Sequence, residues 1–364
     1  PQWLAEQVLS SYKVIAVSGT HGKTTTTSMV AWILHEAGFD PGFLIGGVDR
    51  SFNTSARLGK GDWFVIEADE YDSAFFDKRP KFMHYRPEVA ILNNLEFDHA
   101  DIYANLAEIQ KQFAYFLRTI PSHGLAIKPR EDKALNEVLA SGVYSSVEEC
   151  STQGRADWSA ELLEESGQSF KVYYKGQAVA HIEWSLIGRF NVENALAAMA
   201  ATRRAGVSPE VAARALEGFT PVKRRLEVKF NKDGLTLYDD FAHHPTAISK
   251  TIEALKKSKR HQRILAVMEF ASFTMRSGVH GNAVAKAISA ADSAFILEPQ
   301  DFNIHSILEG SPCSYTLCKN TEEIVELILA QARKGDAILV MSNRGFNGIH
   351  GQLIQALDKV CSDH

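Results

Sequence analysis

The 364-residue sequence contains few cysteines and no long hydrophobic run, and each absence argues against a class of protein. Its four cysteines lack the spacing of a metal site or a disulfide framework, so we expect reduced thiols and a cytoplasmic location. No apolar run approaches the ~18 residues that span a bilayer. The opening residues, Pro-Gln-Trp-Leu, do not predict a signal peptide. We therefore expect neither a secreted nor a membrane protein.

A dominant charge of one sign is also missing. The chain has 39 basic and 44 acidic residues, and its formal net charge is −5. The basic residues form no stripe that could bind the phosphate backbone of a nucleic acid. We therefore expect no nucleic-acid partner. The hydrophobic content of 45% suffices for two domains, each with its own core.

Apolar segments typical of strands alternate with helical patterns along the chain, which favours an α/β architecture. The composition changes at 219–225, so we predict one domain over 1–219 and another over 220–364. We expect a mostly parallel sheet in the first domain and a smaller, doubly wound, Rossmann-like sheet in the second. Strands are predicted at 13–18, 62–68, 88–93, 227–230, 235–239, 263–268, 293–297 and 337–341, and helices at 192–205, 246–257, 282–290 and 321–332.

A glycine-rich turn joins the first predicted strand to a helical pattern. Its residues are Gly19, Thr20, His21, Gly22, Lys23, Thr24 and Thr25. Such a turn directs backbone N–H groups and a positive helix end at a bound phosphate. Lys23 would neutralise β- and γ-phosphate oxygens, and the Thr24 hydroxyl would reach Mg²⁺. The pattern G-x-x-G-K-T is shorter than the usual phosphate loop, and a glycine turn with an incidental lysine is the alternative.

Carboxylates follow the second predicted strand. The ends of parallel strands face the ligand crevice of an α/β sheet, so Glu67 is the first candidate ligand for Mg²⁺ and Asp69 the second. A solvated acidic loop is the alternative. The third predicted strand leads to Asp98-His99-Ala100-Asp101, where we expect His99 to contact a second metal ion.

Two asparagines, Asn191 and Asn194, share one face near the start of a predicted helix. Their amide groups could read a purine edge, although helix capping would account for one of them.

The predicted domain joint contributes further candidates for binding the nucleotide. Arg224 and Arg225 could pair with surface acids or reach a γ-phosphate. Beyond the next strand, Asp240 could accept hydrogen bonds from a ribose, and Phe241 could stack on adenine.

In this order, the motifs resemble those of the Mur ligases, the ATP-dependent amide-forming enzymes of bacterial cell-wall synthesis, from residue 14 to about residue 357. The resemblance implies a central ATP-binding P-loop domain followed by a Rossmann-like domain, with ATP and Mg²⁺ as cofactors. It also implies roles for individual residues: Lys23 at the phosphates, Thr24 and Glu67 at the first Mg²⁺, His99 at the second, Asn191 and Asn194 at adenine, Arg225 at the γ-phosphate, and Asp240 at the ribose.

Four segments most resemble the branch that joins UDP-N-acetylmuramate to the recycled murein tripeptide L-Ala-γ-D-Glu-meso-diaminopimelate: 43–48, 75–79, 92–101 and 341–346. The branch that adds L-alanine lacks the Phe-Phe-Asp-Lys-Arg segment at 75–79. We expect ATP to phosphorylate the sugar-nucleotide carboxylate before the amine attacks. Arg276 and Arg344 are candidates for binding the tripeptide carboxylates.

Three alternatives to this function stay open. They are a UDP-N-acetylmuramate–L-alanine ligase, a folylpolyglutamate synthetase, and a module that binds ATP without ligation.

The sequence departs from the family pattern in two respects. Many Mur ligases carry a carbamylated lysine fifteen residues after the metal-binding histidine, where this chain has Ala114, so we predict no such lysine. Eighteen residues precede Gly19, so we expect this chain to lack the N-terminal UDP-binding domain of the family and to ligate weakly or not at all.

Overall fold

The computed structural model describes residues 1–300 and 302–362. The chain divides into two compact units, Pro1–Lys223 and Arg224–His364, each built on its own sheet. The first sheet is large and mostly parallel, and the second is smaller and doubly wound, which confirms the predicted fold class. The predicted boundary between residues 219 and 220 stays a prediction.

The first unit is built on a ten-stranded sheet with the order β12-β11-β10-β9-β8-β7-β1-β4-β2-β3, and β5 and β6 form a separate hairpin. Neighbours from β10 to β2 pair in parallel, and the pairs at both edges are antiparallel. The strands are β1 (Lys13–Ser18), β2 (Gly42–Asp49), β3 (Thr54–Arg57), β4 (Trp63–Glu67), β5 (Asp72–Ala74), β6 (Asp77–Pro80), β7 (Val89–Leu92), β8 (Leu125–Pro129), β9 (Ser146–Ser151), β10 (Trp158–Leu162), β11 (Ser169–Tyr174) and β12 (Gln177–Glu183).

Helices cover both faces of this sheet. They are α1 (Gln2–Gln7), α2 (Lys23–Glu36), α3 (Leu106–Leu117), α4 (Lys133–Ala140), α5 (Arg189–Arg204) and α6 (Pro209–Glu217), with 3₁₀ turns at Leu9–Ser11 and Lys81–His84. Alternate residues of β1 enter different cores: Ile15 and Val17 pack with α2 and α5, whereas Val14 and Ala16 pack with α3. Burial on both faces explains why β1 is a continuous apolar run.

The second unit is built on a six-stranded sheet with the order β13-β14-β18-β15-β16-β17, in which only the β13–β14 pair is antiparallel among the described residues. Its strands are β13 (Glu227–Lys232), β14 (Leu235–Asp240), β15 (Arg263–Met268), β16 (Ser293–Leu297), β17 (Tyr315–Cys318) and β18 (Asp336–Met341). Its helices are α7 (Pro245–Ser258), α8 (Phe273–Arg276), α9 (Ala283–Ala287), α10 (His305–Leu308), α11 (Thr321–Gln331) and α12 (Ile349–Ser362), with a 3₁₀ turn at Phe346–Gly348.

Two predicted helices differ from the structure by three residues at one end. The helix predicted at 192–205 begins at Arg189 with Gly188 as its N-cap, so the expectation that one asparagine caps it is wrong. The helix predicted at 282–290 is confined to Ala283–Ala287. Among the described residues, no helix has the length and apolar character that a bilayer crossing requires.

Candidate active site

The predicted sequence of strand, glycine turn and helix is confirmed at the end of β1. The strand ends at Ser18, and α2 begins at Lys23 with Gly22 as its N-cap in the left-handed conformation, at φ 79°. A Cβ atom at Gly22 would lie 2.8 Å from Asn194 Oδ1 and 2.9 Å from Asn93 Nδ2. Both the backbone angle and the close approach therefore require glycine.

Asn93 and Asn94, which sequence analysis did not single out, hold this turn. They follow β7, the strand beside β1. Asn94 Oδ1 accepts a hydrogen bond from the His21 amide at 2.8 Å, and its Nδ2 donates to the His21 carbonyl at 3.1 Å. Asn93 Nδ2 donates to Thr26 Oγ1 at 2.9 Å. The available signal was a pair of amide side chains directly after a buried strand.

The segment that follows these asparagines also supports the turn. Thr20 Oγ1 accepts a hydrogen bond from the Glu96 amide at 2.9 Å, and His21 Nε2 lies 2.9 Å from Glu96 Oε2. These contacts keep the loop shaped around the helix N-terminus, where a phosphate group is favoured.

Lys23 is surrounded by acceptors. Its Nζ donates to the Gly19 carbonyl at 2.7 Å and to Glu70 Oε2 at 3.1 Å, and Asp69 Oδ1 lies 3.6 Å away. Burial lowers the pKa of Lys23, but the negative charges of Glu70 and Asp69 outweigh it and raise the pKa above its ordinary value. Lys23 is therefore an ammonium ion at the start of the helix.

Glu67 contacts Gly46 of β2, and Thr24 lies near the neighbouring Gly47. A Cβ at Gly46 would lie 2.8 Å from Glu67 Oε2, and one at Gly47 would lie 3.7 Å from Thr24 Cγ2. The Glu67 carboxylate also accepts a hydrogen bond from the Gly46 amide. A hydroxyl and a carboxylate are hard oxygen donors of the kind Mg²⁺ prefers, so this pair fits the expected ion.

Asp69, the second candidate for that ion, pairs with two lysines. Its two oxygens lie 3.6 Å from Lys23 Nζ and 3.4 Å from Lys81 Nζ. Burial alone would raise the pKa of Asp69, but Lys23 and Lys81 lower it to about 2. These ion pairs give Asp69 a role in balancing the charge of the loop lysine.

His99 has an unusual backbone conformation, with φ at 55°. A left-handed conformation at a residue other than glycine costs energy and is held in place by its surroundings. Here the Asp98 carboxylate accepts from the His99 amide at 2.7 Å, and the ring lies 4.9 Å from that of Tyr71. His99 Nε2 is 3.3 Å from Glu70 Oε1. Burial lowers the pKa of His99, but the hydrogen bond to Glu70 outweighs burial and raises it.

The two predicted adenine-binding residues lie in the first turns of α5, and both are buried. Asn194 lies against Gly22 of the phosphate loop. Asn191 Nδ2 instead donates to the Ile187 carbonyl at 2.8 Å, which ties the helix to the segment before it. The structure therefore brings one of the two amides directly to the loop.

In the second unit, three of the predicted nucleotide-binding residues are neighbours. The Arg225 guanidinium lies 4.9 Å from the centre of the Phe241 ring. The Asp240 oxygens accept backbone hydrogen bonds from Leu226 at 2.7 Å and Ala242 at 2.8 Å. Burial raises the pKa of Asp240, and the charge of Arg225 opposes that shift.

The two predicted substrate arginines lie beyond adjacent strands, Arg276 after β15 and Arg344 after β18, and both are exposed. Arg224 organises the turn after β18, since its Nη2 donates to the carbonyls of Ser342 at 2.6 Å and Arg344 at 2.8 Å. Arg224 also pairs with Asp239 at 3.4 Å. This turn-binding role was not evident from the sequence.

The first unit thus carries a phosphate loop at the head of a mostly parallel sheet, which defines an α/β protein of the nucleotide-binding P-loop class. The model of the Mur ligase middle domain matches residues 17–202, and that of the Mur ligase glutamate ligase domain matches residues 224–344. The chain belongs to the Mur ligase family, as the sequence motifs predicted.

Individual relatives agree with this assignment. The chain is 46% identical to UDP-N-acetylmuramate–L-alanyl-γ-D-glutamyl-meso-2,6-diaminoheptandioate ligase of Escherichia coli, over 99% of the chain and 79% of the relative. It is 32% identical to UDP-N-acetylmuramate–L-alanine ligase of Caldanaerobacter subterraneus, over 92% of the chain and 74% of the relative. A crystal structure of a murein peptide ligase from Psychrobacter arcticus matches with a TM-score of 0.75 and 43% identity, covering 98% of the chain and 80% of that structure.

Proposed function

We propose that the protein is an ATP-dependent ligase that joins the carboxylate of UDP-N-acetylmuramate to the α-amine of L-Ala-γ-D-Glu-meso-diaminopimelate, in peptidoglycan recycling. One observation favours the tripeptide over L-alanine as the amine substrate. The chain is 46% identical to a ligase named for this tripeptide, over 99% of its length. The identity to the L-alanine ligase is 32%.

The chemistry requires activation of the carboxylate. A carboxylate oxygen attacks the γ-phosphorus of ATP, ADP leaves, and an acyl phosphate forms. The uncharged amine then attacks the acyl carbon, phosphate leaves with the former carboxylate oxygen, and the nitrogen loses a proton. Two anions must approach each other in the first step, so neutralisation of charge and positioning supply most of the catalysis.

The side chains that would neutralise this charge are Lys23 and Arg225. Lys23 keeps its proton because Glu70 and Asp69 raise its pKa, so it can bind phosphate oxygens throughout the pH range of the reaction. We assign Arg225 to the γ-phosphate, where a guanidinium offers two parallel hydrogen bonds.

Thr24 and Glu67 would hold one Mg²⁺, and His99 would contact a second. Their hydroxyl and carboxylate oxygens suit the first ion, and the partly buried imidazole beside Glu70 offers the second a nitrogen ligand. The bound ions would neutralise charge on the triphosphate.

We assign the remaining predicted contacts to the substrates. The loop residues from Gly19 to Thr25 cradle the phosphates through backbone N–H groups, Asn191 and Asn194 meet the adenine, and Asp240 and Phe241 meet the nucleoside. Arg276 and Arg344, exposed beyond β15 and β18, bind the carboxylates of the tripeptide.

We place the protein in the cytoplasm, where ATP and UDP-sugars are available. Its four cysteines are free, which suits a reducing compartment.

The test is a product assay with two competing amines. The chain is incubated with ATP, Mg²⁺, UDP-N-acetylmuramate and equal amounts of the tripeptide and L-alanine, and products are identified by mass spectrometry. We expect any conjugate to be that of the tripeptide, formed slowly and with a matching amount of ADP. A predominance of the L-alanine conjugate would instead assign the chain to that activity. ATP binding without ADP or conjugate would contradict ligation and favour a binding module.

A further inference from the structure

Glu70 is a buried carboxylate that contacts no substrate in the proposed reaction. Only 2% of the residue is exposed. Its Oε2 accepts from Lys23 Nζ at 3.1 Å, and its Oε1 lies 3.3 Å from His99 Nε2. The Tyr103 hydroxyl donates to the Glu70 carbonyl at 2.6 Å, which fixes the backbone from which the side chain extends. One carboxylate therefore joins the phosphate-loop lysine to the histidine of a separate turn.

The contacts of Lys23 indicate what this carboxylate does when a phosphate arrives. An ammonium group has three N–H donors, and those of Lys23 face Gly19 O at 2.7 Å, Glu70 at 3.1 Å and Asp69 at 3.6 Å. A phosphate oxygen can replace the longest of these contacts, the one to Asp69. Gly19 and Glu70 would then keep the ammonium directed at the phosphate.

The contact with His99 has a corresponding consequence for metal binding. Because Nε2 of the ring faces Glu70, Nδ1 is the nitrogen left to face a metal ion. A metal-binding histidine usually donates its other ring N–H to a carboxylate, which fixes the tautomer and the ring orientation.

We propose that Glu70 is a positioning residue that orients Lys23 for the phosphates and His99 for the metal, so that nucleotide and metal bind as one unit. The inference rests on the proposed function only in taking Mg²⁺ and ATP as ligands. A purely structural ion pair would stabilise the fold without linking the two affinities.

The test compares Glu70→Gln with a matched control, Glu149→Gln. Both changes remove a carboxylate from an ion pair with a lysine, since Glu149 Oε1 lies 2.7 Å from Lys128 Nζ. Binding of a non-hydrolysable ATP analogue is measured by calorimetry across a range of Mg²⁺ concentrations. We expect Glu70→Gln to raise the half-saturating Mg²⁺ concentration about 10- to 100-fold, the usual effect of losing such a supporting carboxylate. The control should match the unmodified chain, and unchanged Mg²⁺ dependence in Glu70→Gln would overturn the proposal.

A double-mutant cycle with His99→Ala separates positioning from a general loss of stability. If Glu70 acts through His99, its replacement should change Mg²⁺ dependence much less when His99 is already absent. Fully additive effects would refute that route. Should Glu70→Gln fail to fold, Glu70→Asp keeps the charge but shortens the side chain, and we expect it to fold and to show the same weakening. None of these measurements includes an amine or a sugar nucleotide, so a wrong substrate assignment would leave them interpretable.

Discussion

Lys23 carries the positive charge of the phosphate loop on its side-chain ammonium group. Its ammonium contacts Gly19, Glu70 and Asp69, and the two carboxylates raise its pKa despite its burial. The same acids that stabilise its charge therefore also hold it in place before a nucleotide binds.

Replacing this lysine should remove most of the catalysis. We expect Lys23→Ala to lower the rate of ADP formation by about 100-fold or more, by analogy with the loss of other groups that stabilise developing charge. Lys133→Ala is the control, because Lys133 is exposed at the start of α4. Steady-state assays should show a full rate in the control, and a full rate in Lys23→Ala would exclude a catalytic role for the loop.

The cysteines provide a residue-scale test of burial. The pKa of Cys318 is raised to about 11, mainly by burial and to a smaller extent by the negative charge of Glu323. Cys361, in contrast, is partly exposed. The thiolate is the nucleophile, so alkylation of Cys318 should be slower than that of Cys361 at pH 8 and should still accelerate as the pH rises towards 11. Mass spectrometry after iodoacetamide treatment measures both rates. Equal rates at pH 8 in the folded protein would contradict the burial of Cys318, and urea should abolish the difference.

At the scale of single elements, the turn between β1 and α2 depends on the neighbouring strand ends and on α5. Asn93 and Asn94 hydrogen-bond to it, and Asn194 lies against Gly22. The shape of the phosphate loop is therefore set by segments distant in the sequence.

This dependence predicts a difference between two glycines that share a backbone conformation. Gly22 and Gly38 have φ values of 79° and 83°, but a Cβ at Gly38 would have no neighbour within 4 Å. Alanine at either position should cost about 1–2 kcal/mol of stability because of the left-handed conformation. Only Gly22→Ala should also weaken ATP-analogue binding, because its methyl group would displace Asn194. Calorimetry and urea unfolding measure the two effects, and equal loss of binding in both variants would refute the steric argument.

The ease of predicting each element depended on its surroundings. The bounds of β1, β15 and β16 match the sequence-based expectation to the residue, because buried parallel strands form continuous apolar runs. Strand β2 was missed, since its Gly46-Gly47 pair weakens a strand pattern.

The candidate site was only partly predictable for a different reason. Motifs placed Lys23, Glu67 and His99 at strand ends, but the bridging position of Glu70 depends on which strands are neighbours. The strand order and the turn after β7 bring its two partners to it, and spacing along the chain does not reveal this.

At the scale of the whole molecule, the candidate residues of each sheet lie beyond the carboxyl ends of adjacent parallel strands. In the first unit, the order β7-β1-β4 groups the His99 turn, the phosphate loop and Glu67. In the second, the order β14-β18-β15 does the same for Asp240, Arg344 and Arg276. Ligands of open α/β sheets bind at such edges, which supports the assignment of these residues to substrates.

The proposed reaction transfers the γ-phosphoryl group of ATP to a carboxylate before the amide forms. It is tested most directly by running the reaction with UDP-N-acetylmuramate labelled with oxygen-18 in its carboxylate, in the presence of the tripeptide. Mass spectrometry of the released phosphate should then find one labelled oxygen for each amide formed. Phosphate free of label, with ADP still produced, would contradict an acyl-phosphate ligase.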